Sequence, residues 1–113
     1  TLNSPLLSRF LSRVDCDLRS TKTCNFSAWR KDILNINGFN EDFVGWGRED
    51  SDLVARLFHT KRQRLRLKCM ANAYHLYHDD NSRDRLSEND VLLEQCLQRK
   101  QTWCVNGIDK YIA

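Results

Sequence analysis

Residues 45–53, Gly-Trp-Gly-Arg-Glu-Asp-Ser-Asp-Leu, set one flat aromatic ring between two glycines and follow it with three carboxylates. Those residue types together suit a saccharide. A sugar offers apolar C–H faces and a rim of hydroxyls; an aromatic ring holds the face, and carboxylates accept hydrogen bonds from the rim. On this reading Gly45 and Gly47 let the backbone turn sharply, Trp46 is the platform, and Glu49 and Asp50 bind hydroxyls. A plainer reading of the same residues stays open. Acids in the first turn of a helix are favoured by its dipole whatever else they do, and the glycines and the ring then serve only a turn and a core.

The acids fall where a helix is predicted to begin, near Arg48, running to about Thr60. Leu53, Val54, Leu57 and Phe58 form its apolar stripe, and Asp52 and Arg56, four apart, are placed to pair. Upstream, Ser4-Pro5 opens a short helix carrying Leu6, Leu7, Phe10, Leu11 and Val14. Residues 23–29 read as a strand with Cys24, Phe26 and Ala28 on one face. Residues 31–36 read as a brief helical turn, which Asn37-Gly38 ends through a left-handed residue. The loop at 39–43 is expected to bury both Phe39 and Phe43.

Downstream, residues 65–73 alternate in part and predict a strand, which residues 74–78 extend. A polar loop leads to Ser87, which with Asp90 forms a weak capping box for a helix through Val91, Leu92, Gln95 and Cys96 to about Lys100. Asn106-Gly107 is a turn before a short segment at 108–112. The sum is an α+β fold, a few strands packed with about three helices, in a single domain over 1–113 with one covered face.

Composition narrows the function classes. A chain of 113 residues supports one small domain. A net charge of +3 is too mild to imply nucleic acid. The basic run at 61–68 is either the contact patch of a small interaction domain or a solvated strand edge guarded against pairing. The five cysteines form no C-x-x-C pair, which argues against structural zinc. Their odd count and irregular spacing fit a reducing compartment, with one or two disulfides left open. No run reaches transmembrane length, and the first residues lack the order of a signal peptide. A soluble, cytoplasmic protein is therefore expected.

Residues 23–57, TCNFSAWRKDILNINGFNEDFVGWGREDSDLVARL, resemble the acceptor-side, C-terminal segment of GT-A glycosyltransferases, both the β-1,4-galactosyltransferase-like domain and bacterial glycosyltransferase family 2. The family pattern N-G-F-x-E-x-F appears at 37–43 and G-W-G-x-E-D-x-D at 45–52. So long a compound motif is far more specific than a lone glycine pair.

The resemblance implies an inverting hexosyltransferase with a nucleotide-sugar donor and a saccharide acceptor, in bacterial polysaccharide or lipopolysaccharide synthesis. Asp50 matches the catalytic base, and Trp46, Gly47, Glu49 and Asp50 match the substrate-binding positions. A divalent metal, manganese foremost, is implied, with His78 matching the family's metal-binding histidine and His75 the second ligand three residues before it. The residues themselves leave a plainer alternative, a His–Tyr strand end with no ion, while Asp79 and Asp80 are either substitute ligands or solvated loop acids.

One departure from the pattern matters. No D-x-D follows an apolar strand: Asp15-Cys16-Asp17 lacks the strand, and Asp50-Ser51-Asp52 lies in the helix motif. The chain is thus expected to be the C-terminal portion of a GT-A α/β fold whose nucleotide-binding half is missing. It would be inactive alone and linked to the inner face of a membrane only through its parent. Trp29, Phe39, Phe43 and Trp103 are candidate apolar surface, covered by the missing half or by a second copy in a homodimer. The alternative function is a non-catalytic sugar-binding or interaction module.

Overall fold

The structure, a computed structural model, describes residues 2–79 and 82–112. The chain divides into two compact units, Thr1–Asp17 with Gln63–His78, and Leu18–Arg62 with Asp79–Ala113.

In the first unit, helix α1 spans Pro5–Leu11. Ser4 caps it as expected, its Oγ accepting from the Leu7 amide at 3.3 Å, with Pro5 at the first position. The helix stops before Val14, which instead falls in strand β1, Arg13–Asp15. Strand β2, Arg64–Arg66, pairs with it antiparallel in the register Arg13 to Arg66, Val14 to Leu65 and Asp15 to Arg64.

Charge rather than apolar burial fixes this short ribbon. Asp15 meets Arg64 at 2.9 Å and Arg13 and Arg66 each at 3.4 Å, while Leu65 is exposed. Burial pushes the Asp15 carboxyl up, but the Asp17 amide and Arg64 outweigh it and hold it below its ordinary range.

The second unit holds α2, Arg30–Asn35, α3, Glu49–His59, and α4, Leu86–Arg99, with 3₁₀ turns at Thr23–Asn25 and Ile108–Tyr111. Helix α3 buries Leu53, Val54 and Leu57 of the expected stripe, leaving Phe58 half-buried. Leu53 and Leu57 pack on Ile36, with Ile33 partly buried against them. Among them lies the Asp52–Arg56 pair, at 2.8 Å and only 2% and 1% exposed. Arg56 also donates to the carbonyls of Ile36 at 2.5 Å and Gly38 at 2.8 Å, so its charge is dispersed over three acceptors.

Those carbonyls are in place because Asn37 (φ 66°) and Gly38 (φ 69°) end α2 in the left-handed region, as expected. Asn37 is fully buried. Its Nδ2 donates to Cys104 O at 2.8 Å and Asp109 Oδ1 at 2.7 Å, and its Oδ1 accepts from the Asp109 amide at 2.8 Å. Gly107 sits so close that a Cβ there would lie 2.1 Å from Asn37 O. The two Asn-Gly turns, at 37–38 and 106–107, therefore lock together.

The described residues form four α-helices and one two-stranded sheet, so the α+β class holds while the element count changes. Residues 23–29 are not a strand: Cys24, Phe26 and Ala28 are all exposed, and no neighbouring strand pairs with them. The strand expected over 65–73 is cut to Arg64–Arg66, since Cys69 (φ 56°) and Ala71 (φ 54°) adopt left-handed backbone that ends a pleated run. Its extension to residue 78 carries no regular structure.

Phe39 is exposed and Phe43 half-buried, against the expectation that both are buried; Trp29 and Trp103 are exposed. Ser87 does not cap α4. The cap position is Arg85, without a side-chain bond, and Asp90 is engaged by Arg48 instead. None of the five cysteines is in a disulfide. Among the described residues no helix is long and apolar enough to cross a membrane.

Candidate functional site

The loop before α3 turns through three left-handed residues, Gly45 (φ 80°), Gly47 (φ 100°) and Arg48 (φ 78°). Two are glycines, which adopt this region without strain. At Gly47 a side chain would also press on Leu86 Cδ1 at 3.1 Å. Helix α4 holds the loop from below. Asn89, 2% exposed, donates through Nδ2 to Val44 O at 3.1 Å and Gly47 O at 3.0 Å. On the rim, Arg48 Nε donates to Asp90 Oδ1 at 2.5 Å. The Trp46 amide donates to Ser82 O at 3.3 Å.

This clamp sets Trp46 at the surface, 37% exposed, so the ring is not a core residue. The Arg83 guanidinium lies over it, 4.2 Å from the ring centroid, in cation–π geometry.

The three acids that follow have separate surroundings. Asp52 belongs to the core pair with Arg56. Asp50 is half-buried, and the Thr23 hydroxyl donates to its Oδ1 in a short hydrogen bond. Glu49 lies half-buried beside it. All three sit in the first turn of an 11-residue helix, where its dipole favours negative charge. A carboxylate offers about four acceptor sites, so with Thr23 fixing one oxygen Asp50 keeps the capacity to accept from a ligand hydroxyl. Trp46, Gly47, Glu49 and Asp50 are thus gathered on one loop and helix start.

His75 and His78 lie in the other unit. Both rings are exposed, with Nε2 atoms 3.1 Å apart and ring centroids separated by 5.0 Å at 56°. Two nitrogens bound to one ion at ~2.0–2.1 Å stand roughly 3 Å apart, so the pair fits two adjacent positions on a metal. Among the described residues no group of three or more His, Cys, Asp or Glu is gathered to hold an ion. Asp79 joins no such group, and Asp80 lies outside the described residues.

Sequence reasoning missed Thr23, Arg83 and Asn89. Only Asn89 left a signal: it stands with Leu86, Leu93 and Cys96 on a single helical stripe, where a polar residue has to find buried partners.

A family model described as the N-terminal domain of galactosyltransferase matches residues 6–79. The chain is 32% identical over 78 residues to chondroitin sulfate N-acetylgalactosaminyltransferase 1 of Mus musculus and to that of Homo sapiens, a stretch that is 69% of this chain and 14% of each relative. It is 31% identical over 78 residues to chondroitin sulfate N-acetylgalactosaminyltransferase 2 of Homo sapiens, covering 69% of this chain and 13% of that protein. The chain therefore spans a small part of the length of the curated relatives it matches. No solved structure matches it. The galactosyltransferase-like resemblance is thereby supported, with two corrections. The matching domain is described as N-terminal, where a C-terminal segment was expected, and these relatives are mouse and human proteins rather than bacterial family 2 enzymes.

Proposed function

The chain belongs to the glycosyltransferase family described as the N-terminal domain of galactosyltransferase, and from that premise we propose that it binds the acceptor and supplies the catalytic base in a longer inverting transferase of GT-A type. The donor is a nucleotide-linked galactose-type sugar, following the N-acetylgalactosaminyltransferases it resembles. The acceptor is a saccharide whose ring lies against Trp46, with hydroxyls to Glu49 and Asp50.

In the reaction the acceptor oxygen forms a bond to the anomeric carbon of the donor while its proton passes to Asp50. The bond to the nucleoside diphosphate breaks, and the diphosphate leaves with the electron pair. The single displacement inverts the anomeric centre. The supporting observation is Asp50 itself, half-buried at a helix start, fixed by Thr23 and four residues after a surface tryptophan on a loop clamped by Asn89.

A carboxylate is a weak general base. Most of the acceleration must come from stabilising the leaving diphosphate. A divalent metal, manganese foremost, held by His75, His78 and ligands from the rest of the parent, would supply that charge.

The test is Asp50→Asn in the parent enzyme. Turnover is expected to fall roughly 10²–10⁴-fold, the scale of general-base loss, with a smaller change in the acceptor KM. Nearly normal turnover would refute the assignment and leave the non-catalytic sugar-binding reading.

A further inference from the structure

The first unit is built inside out. Helix α1 buries Ser8, only 4% exposed, and leaves Leu6 69% and Phe10 75% exposed, with Leu11 also at the surface. The inward serine finds a polar partner: Ser8 Oγ lies 3.1 Å from Ser12 Oγ, which accepts from the Lys68 amide at 3.0 Å. The β1–β2 ribbon follows the same plan. Residues paired across a ladder share a face, and neighbours along a strand alternate between faces. Val14 and Leu65, a pair in the register, are both exposed, while Asp15, Arg64 and Arg66 on the opposite face are half-buried. An outward apolar face over buried polar groups marks a site of contact.

Charge identifies the partner. In this unit the basic residues Arg9, Arg13, Arg64, Arg66 and Lys68 outnumber Asp15 and Asp17, whereas the second unit holds equal numbers of basic and acidic residues. The whole net charge of +3 therefore lies here. With about 3.6 residues per turn, Arg9 borders the apolar stripe of α1 beside Leu6. Arg9, Arg13 and Lys68 are all exposed. A second copy of the unit would bring like charge to the contact. A soluble polyanion would meet the basic groups but leave the apolar side chains in water. An anionic bilayer offers both a negative surface and an apolar layer beneath it.

We propose that the first unit docks on an anionic lipid bilayer, with Leu6, Phe10 and Leu11 entering the boundary between headgroups and acyl chains and Arg9, Arg13 and Lys68 meeting the lipid phosphates. The attachment is peripheral, since α1 has only 7 residues. It depends neither on Asp50 nor on the transfer reaction.

The test is co-sedimentation of the purified chain with vesicles of phosphatidylcholine alone and of phosphatidylcholine mixed with phosphatidylglycerol. At low salt the mixed vesicles are expected to bind it at least about tenfold more tightly, because each basic residue near an anionic surface contributes about fivefold. Raised salt should shrink the difference. Phe10→Ser should lower binding to the mixed vesicles about tenfold or more, the scale of burying an aromatic side chain. Arg9→Gln should lower it about fivefold and leave binding to phosphatidylcholine unchanged. Both side chains are exposed, so the circular dichroism spectrum should not change.

No binding to the mixed vesicles, equal binding to both kinds, or undiminished binding by Phe10→Ser overturns the proposal. So does a lipid-free dimer in sedimentation velocity that Phe10→Ser dissociates, which gives the face to a second copy. Dextran sulfate bound as tightly as the mixed vesicles, and equally well by Phe10→Ser, would overturn it in favour of a soluble polyanion. Binding by this chain but not by the parent enzyme would overturn it by showing that the rest of the parent covers the face. The comparison of the two vesicle compositions stands even if a variant fails to fold.

Discussion

Asn89→Asp replaces one buried side chain by another of nearly the same size, so its effect isolates the clamp beneath the 45–48 loop. In the native structure the Asn89 amide nitrogen donates chiefly to the carbonyl oxygens of Val44 at 3.1 Å and Gly47 at 3.0 Å, with Trp46 O further off at 3.5 Å. At neutral pH the new carboxylate presents only acceptors to those oxygens. Each lost bond costs about 1 kcal/mol, and each buried group left without a partner about 1–3 kcal/mol. The contributions overlap, and a total of about 3 kcal/mol follows, with the carboxylate's own desolvation acting in the same direction.

For a small domain the urea slope is about 1–3 kcal/mol/M, so the unfolding midpoint should fall by roughly 1–3 M. Circular dichroism against urea reads this directly. Acid should restore part of the loss, because a protonated carboxyl donates one of the two bonds. Hydrogen exchange at the Trp46 amide, which is bonded to Ser82 O, should quicken along with the global change. An Asn89→Asp chain with an unchanged midpoint at neutral pH would mean that the clamp is not formed in solution, and the account of how Trp46 and Asp50 are positioned would fall with it.

Three further outcomes follow from the same structure. Arg56→Ala leaves Asp52 buried without its partner and removes the donor to Ile36 O and Gly38 O; a loss of about 3–5 kcal/mol is expected in urea unfolding, and a loss under about 1 kcal/mol would contradict a buried pair. The Lys110 ammonium, through its hydrogen bond, holds the Glu41 carboxyl below its ordinary range and is itself raised by Glu41. Their contribution is therefore present between the two ranges, lost as pH falls through the lowered Glu41 value and lost as pH rises through the raised Lys110 value. A Glu41→Gln/Lys110→Met double-mutant cycle with the same coupling at neutral pH and in strong acid would disprove it. Burial, and then Asp52, push the Cys96 thiol up to about 12, so native protein at neutral pH should take iodoacetamide at exposed Cys24 and not at Cys96, as peptide mass spectrometry will show.

How much could be read in advance depended on how far apart the cooperating residues lie. Helix α3 was legible because its apolar stripe, its preceding glycines and the Asp52–Arg56 spacing all fall within one short window. The candidate site was legible for the same reason, since Trp46, Gly47, Glu49 and Asp50 are nearly consecutive. Its supports were not. Thr23 is 27 residues from Asp50, and Asn89 is 42 from Gly47.

The errors in the strands have the same origin. Residues 23–29 carry strand-forming side chains but find no pairing edge. The strand that does form is fixed by Arg64 reaching Asp15 across 49 residues, a bond no local pattern announces. In residues 65–73 the alternation was real, but the left-handed backbone at Cys69 and Ala71 overrode it. Ser87 with Asp90 looked like a capping box, yet Arg48 claims Asp90 from another part of the chain.

The locked Asn-Gly turns have a consequence for synthesis. Asn37 is fully buried, yet its side-chain partners are Cys104 and Asp109, up to 72 residues further along. A ribosome adding ~5–20 residues per second needs roughly 4–14 s to deliver them. Throughout that interval the α2–α3 segment exists with an asparagine that cannot be desolvated without losing hydrogen bonds, so the second unit cannot close around Ile36 as it emerges. Residues 63–78, which form part of the first unit, are made during the same wait. The unit that carries the proposed base is therefore completed late, and until then its apolar faces are open to chaperones.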